Sequence, residues 1–297
     1  MKKEDLYLLI GLIIILAAVV AGFFVIKSMS GVDPPFTVIE SESMQHSNES
    51  EVGIIDTGDM ILVKSPDKTD IVSLVEGYAT DEKHFGDYGS VIIYNRGNNQ
   101  NPVIHRAILY LEHNSNNTWN APSLENYDLN WEINGSKSSD TNNLHGILTL
   151  ELPGDYRSNN KIEINLDQLQ LKNSYQGGYI TMGDNNPYTD QQSGICDTLV
   201  SVYDPLISDD DNSNTKYKNT IKSVAWKEIP WLGAIKLAAN GKLDNVTKNV
   251  PNTIPNLIMF VFTIILILYS LGFVYDLSKS KRKETPTPLF PLQQEKE

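Results

Sequence analysis

Two long uncharged runs bracket a chain whose interior is patterned in short apolar bursts. Residues 6–26 (LYLLIGLIIILAAVVAGFFVI) and 256–275 (NLIMFVFTIILILYSLGFVY) are each long enough, at helical rise, to cross the hydrocarbon core of a bilayer. No third run of that kind lies between them. The interior instead sets β-branched runs between turn residues: Thr37-Val38-Ile39, then Met60-Ile61-Leu62-Val63 behind the turn Gly58-Asp59, then Ser90-Val91-Ile92-Ile93-Tyr94. A loop over Asn95–Asn99 leads into Pro102–Tyr110, which reads as the hairpin partner of the preceding run. Gly178–Met182 returns to the strand pattern, and Leu199–Tyr203 comes after it. The pattern predicts a mainly β, antiparallel domain flanked by two transmembrane α-helices.

Three stretches fall outside this rhythm. Residues 113–145 are rich in Asn and Ser around Trp119 and Trp131, and 111–176 reads as an insertion with some strand structure, outside the catalytic framework. An acidic Asp/Asn/Ser loop covers 208–215. Residues 221–240 are apolar and aromatic, and Trp226, Ile229, Pro230, Trp231 and Leu232 suit either the core or the membrane interface. There is no internal repeat.

Charge orients the spans. Lys2 and Lys3 precede the first, and Lys279, Lys281, Arg282 and Lys283 follow the second, which predicts cytoplasmic termini at 1–5 and 276–297. The first span exceeds a usual signal-peptide core and is followed by no small-x-small cleavage site, so it reads as an uncleaved anchor. Residues 28–275 hold 16 Lys and Arg against 31 Asp and Glu, a balance of −15. An extracytoplasmic domain over 27–255 follows, in a multi-pass protein of the cell membrane, or of the endoplasmic-reticulum membrane in a eukaryote. So acidic a surface argues against nucleic acid as a partner. Cys196 is the single cysteine, so an intrachain disulfide and cysteine-based zinc sites are excluded, and it reads as a small buried hydrophobe. Asn48, Asn116, Asn134 and Asn245 head Asn-x-Ser/Thr sequons, as on an exposed glycosylated surface.

The chemistry centres on Ser43, a short reach beyond the first span. A serine nucleophile needs a base within hydrogen-bond reach and a third group to orient that base. Of the five histidines, His113 and His145 lie in the polar insertion and His84 in a charged stretch. His46 sits in a polar run with no orienting framework, whereas His105 is embedded in an apolar strand that would hold its ring rigidly. Asp184 and Asp190 flank a tight Asn-Asn-Pro turn, from which both carboxylates could face one site.

These blocks resemble a family. Ser41-x-Ser43-Met44, Gly58-Asp59-Met60-Ile61-Leu62-Val63, Val103-Ile104-His105-Arg106 and Gly183-Asp184-Asn185-Asn186-x-x-x-Asp190 stand in the order of type I signal peptidases. The last two are similar to the archaeal and endoplasmic-reticulum branch, where histidine replaces the lysine of most bacterial enzymes. The resemblance covers roughly residues 37–63, 89–110 and 178–204. It implies a signal-peptidase-type β catalytic domain with Ser43 as nucleophile, His105 as general base, Asp190 as the acid completing the triad and Asp184 as a second important carboxylate. The Ser43 backbone N–H and the Ser41 hydroxyl would stabilise the oxyanion. It also implies signal-peptide-bearing preproteins, the lipid bilayer and the protein export channel as partners, and no metal or organic cofactor. Glu42 and His46 stand where the family usually has Gly and Pro. A specialised membrane protease for surface or pilin-like precursors, or a non-catalytic surface-binding protein, are the rival readings.

Overall fold

A computed structural model describes residues 3–96, 100–114, 116–157, 159–170, 177–196, 198–202 and 219–283. The expected loop at 208–215, Tyr203 and residues 97–99 of the hairpin loop lie outside the described residues. Fourteen strands are present among those described: β1 (Phe36–Val38), β2 (Met60–Lys64), β3 (Lys83–His84), β4 (Asp87–Tyr88), β5 (Val91–Tyr94), β6 (Val103–His113), β7 (Trp119–Asn120), β8 (Trp131–Ile133), β9 (Ser136–Lys137), β10 (Ile147–Glu151), β11 (Lys161–Asn165), β12 (Gly177–Met182), β13 (Ser201–Val202) and β14 (Thr220–Ile229).

The main sheet runs β1-β2-β14-β5-β6-β12, with every neighbour in that path antiparallel. It curls into a half-barrel. Extra residues at Trp226 on β14 and Ile108 on β6 shift the register, and such bulges bend a strand and raise its twist. The curl brings residues 200–202 between distant strands: Val200 bridges Tyr179 of β12, while β13 pairs in parallel with the start of β14. The expected hairpin forms as β5 and β6, with Ile92 opposite His105 and Val91 opposite Arg106.

Both faces of this sheet are covered, which is why its strands read as continuous apolar runs rather than clean alternations. Val91 and Ile93 pack with Ile39, Met44, Ile55 and Ile61. Ile92 and Tyr94 pack on the other face with Ala107, Val200, Val224 and Cys196, the last buried as a small hydrophobe. The segment 221–240 splits between these uses: Thr220–Ile229 is an interior strand, while Gly233–Ala239 is a short helix burying Ala234 and Leu237 and exposing Ile235.

The insertion is not separate from this core. β6 continues to His113, so the insertion begins later than its expected boundary at 111. Its sheet, β11-β10-β8-β9, buries Trp131, Leu148, Leu150, Ile162 and Ile164 against Ile108, Leu111, Ile180 and Met182 of β6 and β12. Trp119 joins the same cluster and its indole N–H donates to the Leu166 carbonyl at 3.0 Å. All four sequon asparagines are exposed.

The chain divides into two compact units, Met1–Thr253 and Ile254–Glu297. A helix over Lys3–Ser30 opens the first, and a helix over Thr253–Lys283 occupies the described part of the second. Each contains a stretch, Ile13–Ser30 and Thr253–Tyr275, long and apolar enough to cross a membrane. The first helix is tied to the sheet at its C-terminus, where the last carbonyls of a helix lack intrahelical donors. Ser65 N–H donates to the Ser30 carbonyl and Lys68 Nζ to the Ser28 carbonyl, both at 2.8 Å.

A group of acids locks the segment after Ser43 to the sheet. Asp59, in the turn before β2, accepts from Asp56 N–H and Trp231 N–H at 2.8 Å each. Glu228 of β14 accepts from Gly53 N–H at 2.6 Å. Burial, only partly offset by backbone hydrogen bonds and reinforced by neighbouring charges (Glu51 at Asp56, Asp56 at Glu228, Glu228 at Asp59), pushes Asp56 up to about 6, Glu228 to about 7 and Asp59 to about 8. Unfolded carboxyls titrate near 4, so between about pH 4 and pH 8 these three carboxyls hold more protons in the folded chain than in the unfolded one. Stability therefore falls as pH rises through that window. The melting temperature of the full chain in detergent is expected to be lower near pH 8.5 than near pH 5.5, and Asp59→Asn is expected to flatten the slope. A melting temperature that rises with pH across the window would refute this.

Candidate active site

Strand β6 sends successive side chains to opposite faces, so the adjacent residues His105 and Arg106 diverge. Each meets a different aspartate of the Gly183–Asp190 block. That block follows β12, whose Met182 pairs with Arg106, and it folds back over the end of β6.

On the first face, His105 Nδ1 lies 2.8 Å from both carboxylate oxygens of Asp190. Asp190 is fully buried and also accepts from the Tyr94 and Thr181 hydroxyls at 2.7 Å. Burial first, and then the Asp190 charge, push the Tyr94 phenol far above its usual range, so it stays a donor. Three donors converging on one carboxylate hold it in place. An Nδ1 bonded to a carboxylate carries the proton in the neutral ring, leaving Nε2 as the acceptor.

That Nε2 faces the Ser43 segment. A Cβ placed on the buried Gly183 would stand 2.5 Å from the Ser43 carbonyl oxygen and 2.9 Å from His105 Nε2. Only glycine leaves room for the Ser43 carbonyl and the imidazole edge to approach the place where a side chain would begin. The Ser43 carbonyl accepts from Asn185 N–H at 2.9 Å, and Asn185 Nδ2 donates to the Glu42 carbonyl at 3.1 Å. The block's turn thus staples the Ser43 loop in place. Ser43 itself is half-buried, and its hydroxyl lies 3.4 Å from that of the exposed Ser41, longer than a strong O–H···O bond. Among the described residues the Ser43 N–H has no intrachain acceptor, and so remains a donor for an incoming oxygen.

Asp184 belongs to the second face. Arg106 grips it with two parallel bonds, Nε to Oδ1 at 2.8 Å and Nη2 to Oδ2 at 2.6 Å. Arg106 Nη1 also donates to the His84 and Gly89 carbonyls at 2.9 Å. Burial would raise the Asp184 carboxyl, but the charge and hydrogen bonds of Arg106, then the His46 hydrogen bond and the Arg157 charge, hold it well below the usual carboxylate range. No bond joins Asp184 to His105, so the two aspartates serve opposite faces of β6.

The structure bonds His105 to Asp190, brings the Ser43 backbone beside the His105 ring at Gly183 and sets Ser41 beside the serine, while among the described residues no hydrogen bond joins the Ser43 hydroxyl to His105. It also corrects the reading of His46, which has an orienting partner after all: its Nε2 lies 3.0 Å from Asp184 Oδ2. That partner is 138 residues away, beyond any local pattern. His46 is nevertheless turned from the serine's needs, because its other nitrogen faces Gly86, 3.2 Å from where a Cβ there would stand. Tyr94, Thr181, Tyr156 and Arg157 are further site residues with no motif of their own. Tyr156 and Arg157 come from the insertion, which was expected to stand outside this framework.

With the Ser43 hydroxyl turned onto His105 Nε2, the arrangement would deprotonate that hydroxyl and stabilise the resulting imidazolium. No family model, curated protein or solved structure matches the chain. Replacing Arg106 with Met would leave the Asp184 charge buried without its bidentate partner. Removing one member of a buried pair typically costs about 3–5 kcal/mol, and Arg106→Met is expected to lower denaturant-melt stability by that order. A loss under about 1 kcal/mol would show that the pair does not hold the fold.

Proposed function

We propose that the protein is a membrane-anchored serine endopeptidase of the signal-peptidase type, which removes signal peptides from secreted preproteins. The reading rests above all on one observation: His105 is held through Nδ1 by a buried aspartate while its Nε2 meets the Ser43 segment at Gly183. Ser43 attacks the scissile carbonyl as His105 Nε2 accepts its proton, and His105 then protonates the leaving amine. Asp190 fixes the tautomer and stabilises the imidazolium. The Ser43 N–H and the Ser41 hydroxyl receive the oxyanion, a role whose loss costs roughly 10²–10³-fold in other acyl-transfer enzymes. Water then hydrolyses the acyl-enzyme with His105 as base.

Membrane anchoring gives this chemistry its substrates. Ser43 follows closely on the helix that ends at Ser30, and that helix end is bonded to the sheet. With both termini cytoplasmic, the domain works at the outer face, where signal peptides emerge from the bilayer and the protein export channel. The exposed Glu42 beside the nucleophile and the insertion side chains at the site favour, as a second reading, a specialised protease for surface or pilin-like precursors.

The test is cleavage of a preprotein by the detergent-solubilised protein, with N-terminal sequencing of the product. Wild type is expected to cut after small residues, and Ser43→Ala to abolish the cut. Asp190→Asn is expected to lower turnover by about 10³–10⁴-fold with melting retained. Uncleaved preprotein alongside a cleaved surface or pilin-like precursor would select the second reading. Undiminished cleavage by Ser43→Ala would overturn both.

A further inference from the structure

The insertion reaches the candidate active site through a single loop. β10 and β11 pair from Ile147↔Asn165 to Glu151↔Lys161, so residues 152–157 and 159–160 belong to the hairpin connection at their end. Two of its side chains close on the second face of the site. The Tyr156 ring stacks on His46 with centroids 3.5 Å apart and planes 7° from parallel. Arg157 Nη2 lies 2.5 Å from Asp87 Oδ2 and 3.4 Å from Asp184 Oδ1, and Nη1 reaches the Asp184 carbonyl at 3.4 Å. The Tyr156 hydroxyl also bonds Asp87. Arg157 is buried and Tyr156 half-buried.

His46 is the link between this loop and the nucleophile. It lies three positions after Ser43, on a loop whose first part is stapled to the Gly183–Asn186 turn by Asn185. Its ring is held on one edge by Asp184, on another by Gly86, and on its face by Tyr156. Gly86 adopts φ +82°, and a Cβ there would come within 2.9 Å of the His46 ring. The ring therefore has one position, and that position is closed off by a residue of the insertion.

We propose that Tyr156 and Arg157 are positioning residues: through His46 and Asp184 they fix the loop that carries Ser43, so that the insertion completes the active site in cis. This rests on the reading of Ser43 as nucleophile. Arg157 neutralises Asp87 and backs Asp184, leaving Asp184 free to accept from His46 without releasing Arg106. Tyr156 supplies the flat surface against which the His46 ring stacks while bonded to that carboxylate. A displacement of about 1 Å in a reacting group can cost about a hundredfold in rate, so a small loosening of this loop is measurable at Ser43.

The experiment uses the full chain in detergent micelles, with ¹³C-labelled histidine and a fluorophosphonate as the probe of Ser43. The stacked Tyr156 ring shields His46, whose ring protons are expected upfield of those of the more exposed histidines. Tyr156→Leu is expected to remove that shift and to slow Ser43 labelling by about ten- to a hundredfold. Tyr156→Phe keeps the stack and is expected to retain both. The His105 resonances serve as the control for general loosening and are expected to stay in place in both variants. Unshifted His46 signals in Tyr156→Leu, His105 signals that move together with those of His46, or a moved His46 with wild-type labelling would each overturn the proposal. A wild-type chain that fails to react at all would instead sink the serine-nucleophile reading, before any variant is made.

Discussion

The bidentate ion pair between Arg106 and Asp184 is the constraint on which the rest of the site depends. Both side chains are buried, and a guanidinium taken out of water must find partners for every donor. Arg106 finds them in the Asp184 carboxylate and in the carbonyls of His84, Phe85, Asp87, Tyr88 and Gly89. The requirement shapes two loops at once. Residues 84–89 must turn their carbonyls inward, and the Gly183–Asn186 turn must bring its aspartate down onto β6. Once Asp184 is there, it supplies an acceptor for His46 and a contact for Arg157.

Such a pair is poor evidence of net stability, because desolvating the two charges offsets much of their attraction. Its value here is geometric. The turn that delivers Asp184 to Arg106 also sets Gly183 against both the Ser43 carbonyl and the His105 ring. Six residues further on, the same segment delivers Asp190 to His105 on the opposite face. One ion pair thereby sets the register of the block that holds His105, and period-2 alternation along β6 keeps the two carboxylates apart. Without that separation, two like charges would compete for one imidazole.

Much of this was legible along the chain. The two apolar spans, the β5–β6 hairpin and the turn blocks are local patterns, because chain-neighbour sterics and apolar periodicity produce them. Cys196 in the core follows from composition. The preference for Asp190 over Asp184 at His105 came with the family resemblance, and the distances agree with it. His46 illustrates the failure of local reading: a histidine among Gln, Ser and Asn looks solvated until Asp184, 138 residues later, is brought against it. The insertion illustrates the same limit at larger scale. Its Asn- and Ser-rich composition hides that Trp131, Leu148 and Ile164 share a core with β6 and β12, and that its hairpin loop touches the site.

By itself, then, the sequence determined the parts: two helices long and apolar enough to cross a membrane, a mainly antiparallel β domain between them, and a serine, a histidine and two aspartates on identifiable segments. Tertiary structure decided the order of strands, with β14 lodged between β2 and β5, and the division of the two aspartates between opposite faces of β6. It also decided that the insertion belongs to the site. The physical reason is the range of the forces involved. Helix length and strand alternation depend on neighbours along the chain, whereas a buried charge is satisfied by whichever partner the fold brings within about 3 Å.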